Sequence, residues 1–337
     1  MDNMTKVGKI VKINDDIYRI KTPFNLQRGS VNSYLIRDRS GGWVVLDPGY
    51  STDICRGLWQ EAMDMLGFGF ENISLILNTH FHTDHAGLAG WFERNCSAPI
   101  YMSPADVISY RSEWQDESKH LDIMVEYMSH HGLSSTARIE EMRQQMHEIG
   151  THTIDMCTRF LPLADGDRFP VKGGYLRAIA APGHATGQLI FAFDEQKYLF
   201  SADMLLPISF TPVTLRSYGD ANPVGSIIRT LRSYIDGGIL DSSYTCLPGH
   251  GWAFDDPVEH SRQALEHFIS TAQWYVERCR DCEVCAYTIG EELKVGNPRK
   301  FHLLMSEAMA YLTYIHDLGL AERTERDGVY YYRTINK

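Results

Sequence analysis

Four side chains able to ligate a metal crowd into six residues at His80-Phe81-His82-Thr83-Asp84-His85. Three His and one Asp at those places would arise by chance in about one chain in 600 of this composition, so the run points to divalent-metal chemistry and not to an ordinary polar turn. A short segment leaving a strand can aim alternate side chains at one point, so that His80 and His82 could hold one ion and Asp84 and His85 another. Each ion needs more ligands than that. Three candidates sit at turns after apolar runs: His184 in Ala181-Pro182-Gly183-His184, Asp203 in Phe200-Ser201-Ala202-Asp203, and His250 in Leu247-Pro248-Gly249-His250-Gly251. Two divalent ions acting together lower the pKa of a bound water and yield a hydroxide at neutral pH, which attacks a carbonyl or phosphoryl group without any Ser or Cys nucleophile. Asp84 is the candidate to orient that water.

The elements that must position these residues alternate in type. Strand character is read at Ile17–Ile20, Val31–Ile36 and Trp43–Leu46, helical spacing at Ile54 to Leu66, and a strand at Ile73–Asn78 that delivers the His-rich run. A helix over Gly87 to Arg94 and a strand at Pro99 to Met102 follow. Between Pro104 and about Thr153 the pattern becomes a helical pair parted by Gly132, with Leu121, Met124, Val125 and Met128 on one stripe and Ile139, Met142, Met146 and Ile149 on the other. Strands return at Tyr175–Ala180, Leu189–Phe193, Tyr198–Phe200 and Tyr244–Leu247, with a helix over Val224 to Ile235. Strand ends along one sheet edge converge on one crevice, which lets distant His and Asp residues meet the first cluster. The chain then reads as helices at Pro257 to Arg278, Cys285–Leu293 and Phe301 to Leu318, and a hairpin at Ala321–Thr334. That order suggests a winged helix.

HFHTDH, PGHATGQ, SAD and PGHG, in that order and spacing, resemble the metallo-β-lactamase superfamily of metal-dependent hydrolases over most of residues 10 to 255. The resemblance implies an α/β fold, an αββα sandwich carrying the helical insertion at about 104–153, with a catalytic domain at 1–256 and a winged-helix-like domain at 257–337. It further implies a dinuclear site, with His80, His82 and His184 on the first metal, Asp84, His85 and His250 on the second, and Asp203 bridging. Zinc is the expected metal, with Mn or Fe as alternatives that His and Asp ligands also accept. Leu46-Asp47-Pro48-Gly49 matches the superfamily's early acidic turn, which makes Asp47 a candidate to orient a ligand from behind. Ala202-Asp203 stands where many relatives carry Gly-Asp, which keeps the ligand and puts only the local backbone in question. Asp203, with no Cys in its place, resembles glyoxalase-like and nuclease-like members; antibiotic cleavage is not expected.

The 337 residues carry 32 Lys and Arg against 43 Asp and Glu, a net charge of −11 that disfavours nucleic acid as a general partner. The tail resembles that of a branch containing acyl-carrier thioesterases and a single-strand RNA endonuclease. From Ala286 to Lys337 it holds seven basic and seven acidic residues, so it offers no net positive field. A wall or dimer element is the expectation, and a homodimer a candidate assembly. Met side chains in the insertion could form an acyl-chain lid or simply pack the helical pair, the commoner use of such stripes. His120, His130, His131, His147 and His152 lie off the motif. Seven scattered Cys suggest reduced thiols, the spacing Cys279-x-x-Cys282-x-x-Cys285 lacks a fourth ligand, and the apolar runs are too short for a membrane span, so a cytoplasmic protein is expected. The function so read is dinuclear hydrolysis of a small or carrier-bound acyl compound, foremost a thioester, with single-stranded RNA cleavage or lactone opening as alternatives. Ser209, Phe210, Thr211 and Tyr218 are candidates to line its pocket.

Overall fold

The computed structural model describes residues 9–25, 29–297 and 299–335. Its first sheet runs β1 (Lys9–Lys12), β2 (Ile17–Asn25), β3 (Gly29–Arg37), β4 (Trp43–Leu46), β5 (Ile73–Leu77), β6 (Ile100–Met102) and β7 (Leu161–Pro162), in that spatial order. The pairing is antiparallel up to β4 and parallel from there on. A second sheet has the order β13 (Phe254–Asp255), β12 (Thr245–Pro248), β11 (Tyr198–Ala202), β10 (Leu189–Phe193), β9 (Gly174–Ala180) and β8 (Arg168–Val171), with β11 and β12 parallel.

Strand β4, Trp-Val-Val-Leu, shows why the layers form. All four residues are buried, because both faces of its sheet are covered. Successive side chains point to opposite faces, so Val44 and Leu46 turn toward the second sheet while Trp43 and Val45 turn away. The inward set meets Phe191, Phe193, Phe200 and Leu247, forming the core between the sheets. The outward set packs with Leu58, Trp59 and Phe92 of helices α1 (Asp53–Leu66) and α3 (Ala89–Asn95), and α2 (Thr83–Ala86) lies between these helices in the chain. Thr52 caps α1 and Gly67, left-handed at φ 67°, ends it. The far face of the second sheet, with Ile190, Ala192 and Leu199, is covered in the same way by Ile227 and Leu231 of α7 (Pro223–Asp236). The result is an αββα sandwich.

The insertion holds three helices, α4 (Pro104–Trp114), α5 (Glu117–Ser129) and α6 (Thr136–Thr153), where the apolar spacing predicts two. Helix α4 escapes that reading because it carries almost no one-sided apolar stripe: Asp106, Ser109 and Glu113 are among its buried residues. Met128, Met142 and Met146 are buried in one core shared with Phe268, Ile289, Met305 and Met309 from the chain's last helices. The Met stripe therefore packs; it does not form an open lid. The side chains of Ile149 and His152 lie outside the described residues. Helices α8 (Pro257–Arg278), α9 (Ala286–Lys294) and α10 (Phe301–Asp317) precede the hairpin β14 (Ala321–Arg326) and β15 (Val329–Thr334), the order the sequence predicts. Arg138 of α6 forks onto Glu291 of α9 at 2.9 Å on both arms, and Tyr330 of the hairpin donates its N–H to the His130 carbonyl at 2.8 Å. Among the described residues no helix is long and apolar enough to cross a membrane, and Cys279, Cys282 and Cys285 join no metal-competent group.

Gly183, between β9 and β10, sits at φ 130° with its α-carbon so near α7 that an added Cβ would lie 2.2 Å from Ile227 Cγ1 and 2.8 Å from the Ile227 nitrogen. Gly183→Ala is expected to cost about 2–4 kcal/mol in denaturant unfolding, from overpacking plus a disallowed backbone angle. Gly166→Ala, also at positive φ but facing open space, should cost only about 1 kcal/mol; equal costs would refute the contact argument.

Candidate metal centre

Each candidate residue leaves the carboxyl end of a strand, and the two sheets bring those ends to one edge. Strand β5 runs into Asn78, Thr79 and His80; the chain then turns, with His82 preceding α2 and Asp84 and His85 inside it. His184 follows β9, Asp203 follows β11 and His250 follows β12. The β12 turn is tied to the first sheet by the Asn32 N–H on the Gly249 carbonyl at 2.7 Å and the Asn32 amide on the Pro248 carbonyl at 2.8 Å. Ala202 takes φ 46°, the left-handed region, where relatives with glycine would meet no Cβ penalty.

All seven candidates come together. His80 Nε2 and His184 Nε2 each lie 3.0 Å from His82 Nδ1. His85 Nε2 is 3.3 Å from Asp203 Oδ1, while His184 Nε2 and His250 Nε2 are both 3.4 Å from Asp203 Oδ2. Asp84 Oδ2 lies 3.2 Å from His250 Nε2. Three overlapping groups are compact enough to hold an ion: His80, His82 and His184; His80, His85 and Asp203; Asp84, His85 and His250.

The outward nitrogens fix the tautomers. Thr79 spends its hydroxyl proton on Asp47 Oδ2 at 2.8 Å, so its oxygen accepts from His80 Nδ1–H at 3.0 Å. His85 Nδ1–H meets Asp47 Oδ2 at 2.8 Å, His184 Nδ1–H the Pro212 carbonyl at 2.9 Å, and His250 Nδ1–H the Ser30 carbonyl at 3.0 Å. Four imidazoles therefore turn their Nε2 atoms inward, toward one another and toward two carboxylates. Buried His85 Nε2 and Asp203 Oδ1 face each other at 3.3 Å, without a well-aligned hydrogen bond. A Cβ on Gly249 would fall 2.4 Å from Asp203 Oδ1 and 2.7 Å from His85 Cε1, so the backbone closes over the cluster. Convergent inward ring nitrogens, two buried carboxylates among them and an all-nitrogen and oxygen donor set fit divalent cations of the zinc type, which would displace the protons held at His85 and His250.

Electrostatics divides the cluster into two halves. Burial, reinforced by the neighbouring imidazoles, holds His80 and His82 well below the usual His range, and burial also lowers His184. Burial opposes charge at His85 too, but Asp203, Asp84 and Asp47 outweigh it and hold His85 well above that range. At His250 the same contest, with Asp203 foremost among the carboxylates, ends at about 10. Burial alone would raise Asp84 and Asp203; the two imidazoles beside them keep both ionised instead.

Asp47 receives the Thr79 N–H at 2.7 Å as well as the Thr79 hydroxyl and His85, from a left-handed turn at φ 56°. The LDPG reading of that residue matches its contacts. Thr79 and the carbonyls of Pro212 and Ser30 were not singled out in the sequence. The hydroxyl adjoins the motif and was findable, whereas a backbone carbonyl carries no residue signature. Also unread are Arg216, whose Nη2 lies 3.1 Å from His82 Nε2, and Glu113, which pairs with Arg216. Asp106 of α4, pushed up to about 7 by burial, accepts the Gly187 N–H at 2.7 Å and so braces the His184 turn. Of the suggested lining residues only Tyr218 borders the cleft beside His184. Phe210 stacks on His267 at 4.3 Å because it packs with the α8 helix, and Thr211 is buried. His120 and His131 are buried away from the cluster and pushed to about 4 by that burial.

Residues 26–250 match the family model described as the Metallo-beta-lactamase superfamily. The chain belongs to that superfamily. Among solved structures, a metallo-beta-lactamase family protein from Thermus thermophilus shares the fold at a TM-score of 0.81 and 24% identity, over 96% of this chain and 100% of that one. The "Probable polyketide biosynthesis zinc-dependent hydrolase BaeB" of Bacillus velezensis is 24% identical over 56% of this chain and 60% of its own length. The "Atrochrysone carboxyl ACP thioesterase AgnL7" of Paecilomyces divaricatus is 42% identical over a short stretch, 13% of this chain and 14% of its own. This superfamily member spans 64% of the length of the lactamase-like proteins adaB of Aspergillus niger that it matches.

In the metal-free protein, protonated His85 and His250 face ionised Asp84 and Asp203. A raised folded value means that this stabilisation is full below the unfolded His value of about 6.5 and is lost as pH rises through the folded one. The melting temperature of chelator-treated protein is expected to fall from neutral pH to about 10, and to fall less steeply in His250→Gln. Parallel slopes in the two proteins would remove His250 from the account.

Proposed function

We propose that this chain is a dinuclear metallohydrolase of a thioester, releasing a carboxylate and a free thiol. The observation that supports the reading is the set of four imidazoles whose outward nitrogens are all committed to fixed acceptors, with their Nε2 atoms, His82 Nδ1 and two carboxylates turned onto one small space. His80, His82 and His184 would hold one cation and Asp84, His85 and His250 the other, with Asp203, whose Oδ1 faces His85 and whose Oδ2 faces both His184 and His250, shared between them. Zinc suits these donors and is named for one relative. Such cations supply, when bound, an acidified water and a Lewis acid for the carbonyl.

The chain's own groups supply the rest. Asp84, kept ionised by His85 and His250, accepts a hydrogen bond from the attacking water and orients it. Asp47 and Thr79 keep His85 and His80 turned inward, so the imidazoles do not rotate as charge develops. The imidazoles are committed to these contacts, which favours a leaving group that needs no proton. A thiolate, with a conjugate-acid pKa of about 8.5, departs unprotonated where an amine does not. The thioesterase name of one relative and the polyketide role of another point to a carrier-bound acyl group. Residues 257–337, winged-helix-like in element order, would wall the catalytic domain at 1–256.

Zinc-loaded protein is expected to release thiol from acyl-coenzyme A or acyl-glutathione substrates, and His82→Ala to lose at least about 100-fold of that rate with its fold retained. Normal turnover in His82→Ala would sink the scheme, and silence of the loaded wild type across the panel would move the assignment to lactones or RNA. Asp47→Ala is expected to weaken zinc affinity about 10–100-fold in a competitive chelator titration; unchanged affinity would deny Asp47 its orienting role.

A further inference from the structure

The outer edge of His82 differs from those of the other four imidazoles. Where they donate to acceptors, His82 Nε2 faces a donor, Arg216 Nη2 at 3.1 Å. The other arm of that guanidinium, Nη1, is paired with the Glu113 carboxylate of α4, which also accepts the Tyr218 hydroxyl. The guanidinium carbon sits 5.1 Å from the centre of the Phe81 ring. Glu113 is buried at 2% side-chain exposure, whereas Arg216 at 28% opens onto a cleft bordered by Phe81, His184, Thr186, Thr214 and Tyr218.

This contact is compatible with only one state of His82. A neutral imidazole that offers Nδ1 to a cation must carry its proton on Nε2, and that N–H cannot accept from Arg216. A guanidinium does not give up its proton either. Two donors would then face each other, so cation binding at Nδ1 must break the Arg216–His82 contact while Glu113 keeps its hold on Nη1. The freed arm has few places to go. Phe81 lies under it, and Asp220, the other charged side chain bordering the cleft, already accepts the Asn222 N–H on Oδ1 at 2.9 Å, which leaves the cleft itself as the open direction beside that carboxylate.

We propose that Arg216 is a substrate-anchoring residue that binds a carboxylate carried on the acyl part of the substrate, close to the carbonyl under attack. The assignment rests on the metallohydrolase reading of the cluster. The anion belongs on the acyl side because Arg216 and the cluster face opposite edges of one imidazole, so a group anchored at Nη2 lies within the width of a short diacid of the reacting carbonyl. Glu113 is then the positioning residue that keeps the guanidinium over the cleft, and it explains a buried carboxylate on an otherwise weakly amphipathic helix.

Calorimetric titration of zinc-loaded wild type, R216M and R216K with malonate, acetate and coenzyme A tests this, with zinc content measured on each sample. Wild type should prefer malonate to acetate, R216M should lose that preference about tenfold or more while acetate binding stays constant, and R216K should retain part of it. The ratio is insensitive to a general loosening of the site. An unchanged ratio in R216M overturns the proposal. So does a loss confined to coenzyme A, which would place the anion on the leaving group, or lowered zinc content with the malonate preference intact, which would make Arg216 a support for His82 alone. An Arg216-dependent malonate preference in a protein that releases no thiol would keep the anchor and reject the thioester.

Discussion

The constraint on which the structure turns is that buried imidazoles must be told which nitrogen carries the proton. A neutral His left to itself presents a mixture of tautomers and ring orientations, and a cluster of such rings would satisfy its hydrogen bonds internally. Here every one of four rings has a fixed acceptor behind it, and the acceptors come from four separate places: Thr79 after β5, Asp47 after β4, the Pro212 carbonyl in the loop before α7, and the Ser30 carbonyl in β3. No single element could supply them. The sandwich, with strand ends of both sheets at one edge, brings them within 3.0 Å of their rings. Asp47 carries the heaviest share. It ties the β4 turn to Thr79 and to α2, and the turn is braced in return by the Gly49 N–H on the His85 carbonyl at 2.9 Å.

The division of charge follows from the same arrangement. The half of the cluster built from imidazoles alone is neutral because burial and the neighbouring imidazoles outweigh the pull of Asp203 there. The half containing Asp84 and Asp203 cannot leave two buried carboxylates uncompensated, and so retains protons on His85 and His250. One fold thus carries two electrostatically different positions side by side, and cations binding there would meet neutral ligands on one side and displace protons on the other.

What was legible in the chain follows from where each contribution is written. His80, His82, Asp84 and His85 are side chains at fixed spacing in one short run, and His184, Asp203 and His250 stand at turns after apolar strands; both are features that a linear reading resolves. Helix α7 was legible because its apolar period is strong, and the hairpin at Ala321–Thr334 because Asp327-Gly328 is a turn pair ahead of the strand-forming Val-Tyr-Tyr-Tyr run. Strands β7 and β13, two residues each, carry no period at all. Helix α4 was hidden because its inner face is polar, and Arg216 because its meaning depends on His82, 134 residues away in the chain. The Pro212 and Ser30 carbonyls are invisible in principle, since any residue supplies one.

The insertion and the tail are best understood through that same polar face. Their apolar residues merge into one core over the second sheet, so they extend the outer layer of the sandwich. Glu113 and Asp106 of α4 reach the other way, toward Arg216 and toward the turn that carries His184. A burial cost this large for two carboxylates makes sense only if they hold something in place, and what they hold borders the cleft. The ligand cluster is set by the two sheets and their turns, and the insertion reinforces one of those turns and, through Glu113, the Arg216 side chain. One helix of the insertion therefore serves both parts of the site, Glu113 holding Arg216 at the cleft and Asp106 bracing the turn that carries His184, so a change in that helix would be felt at the ligand cluster as well.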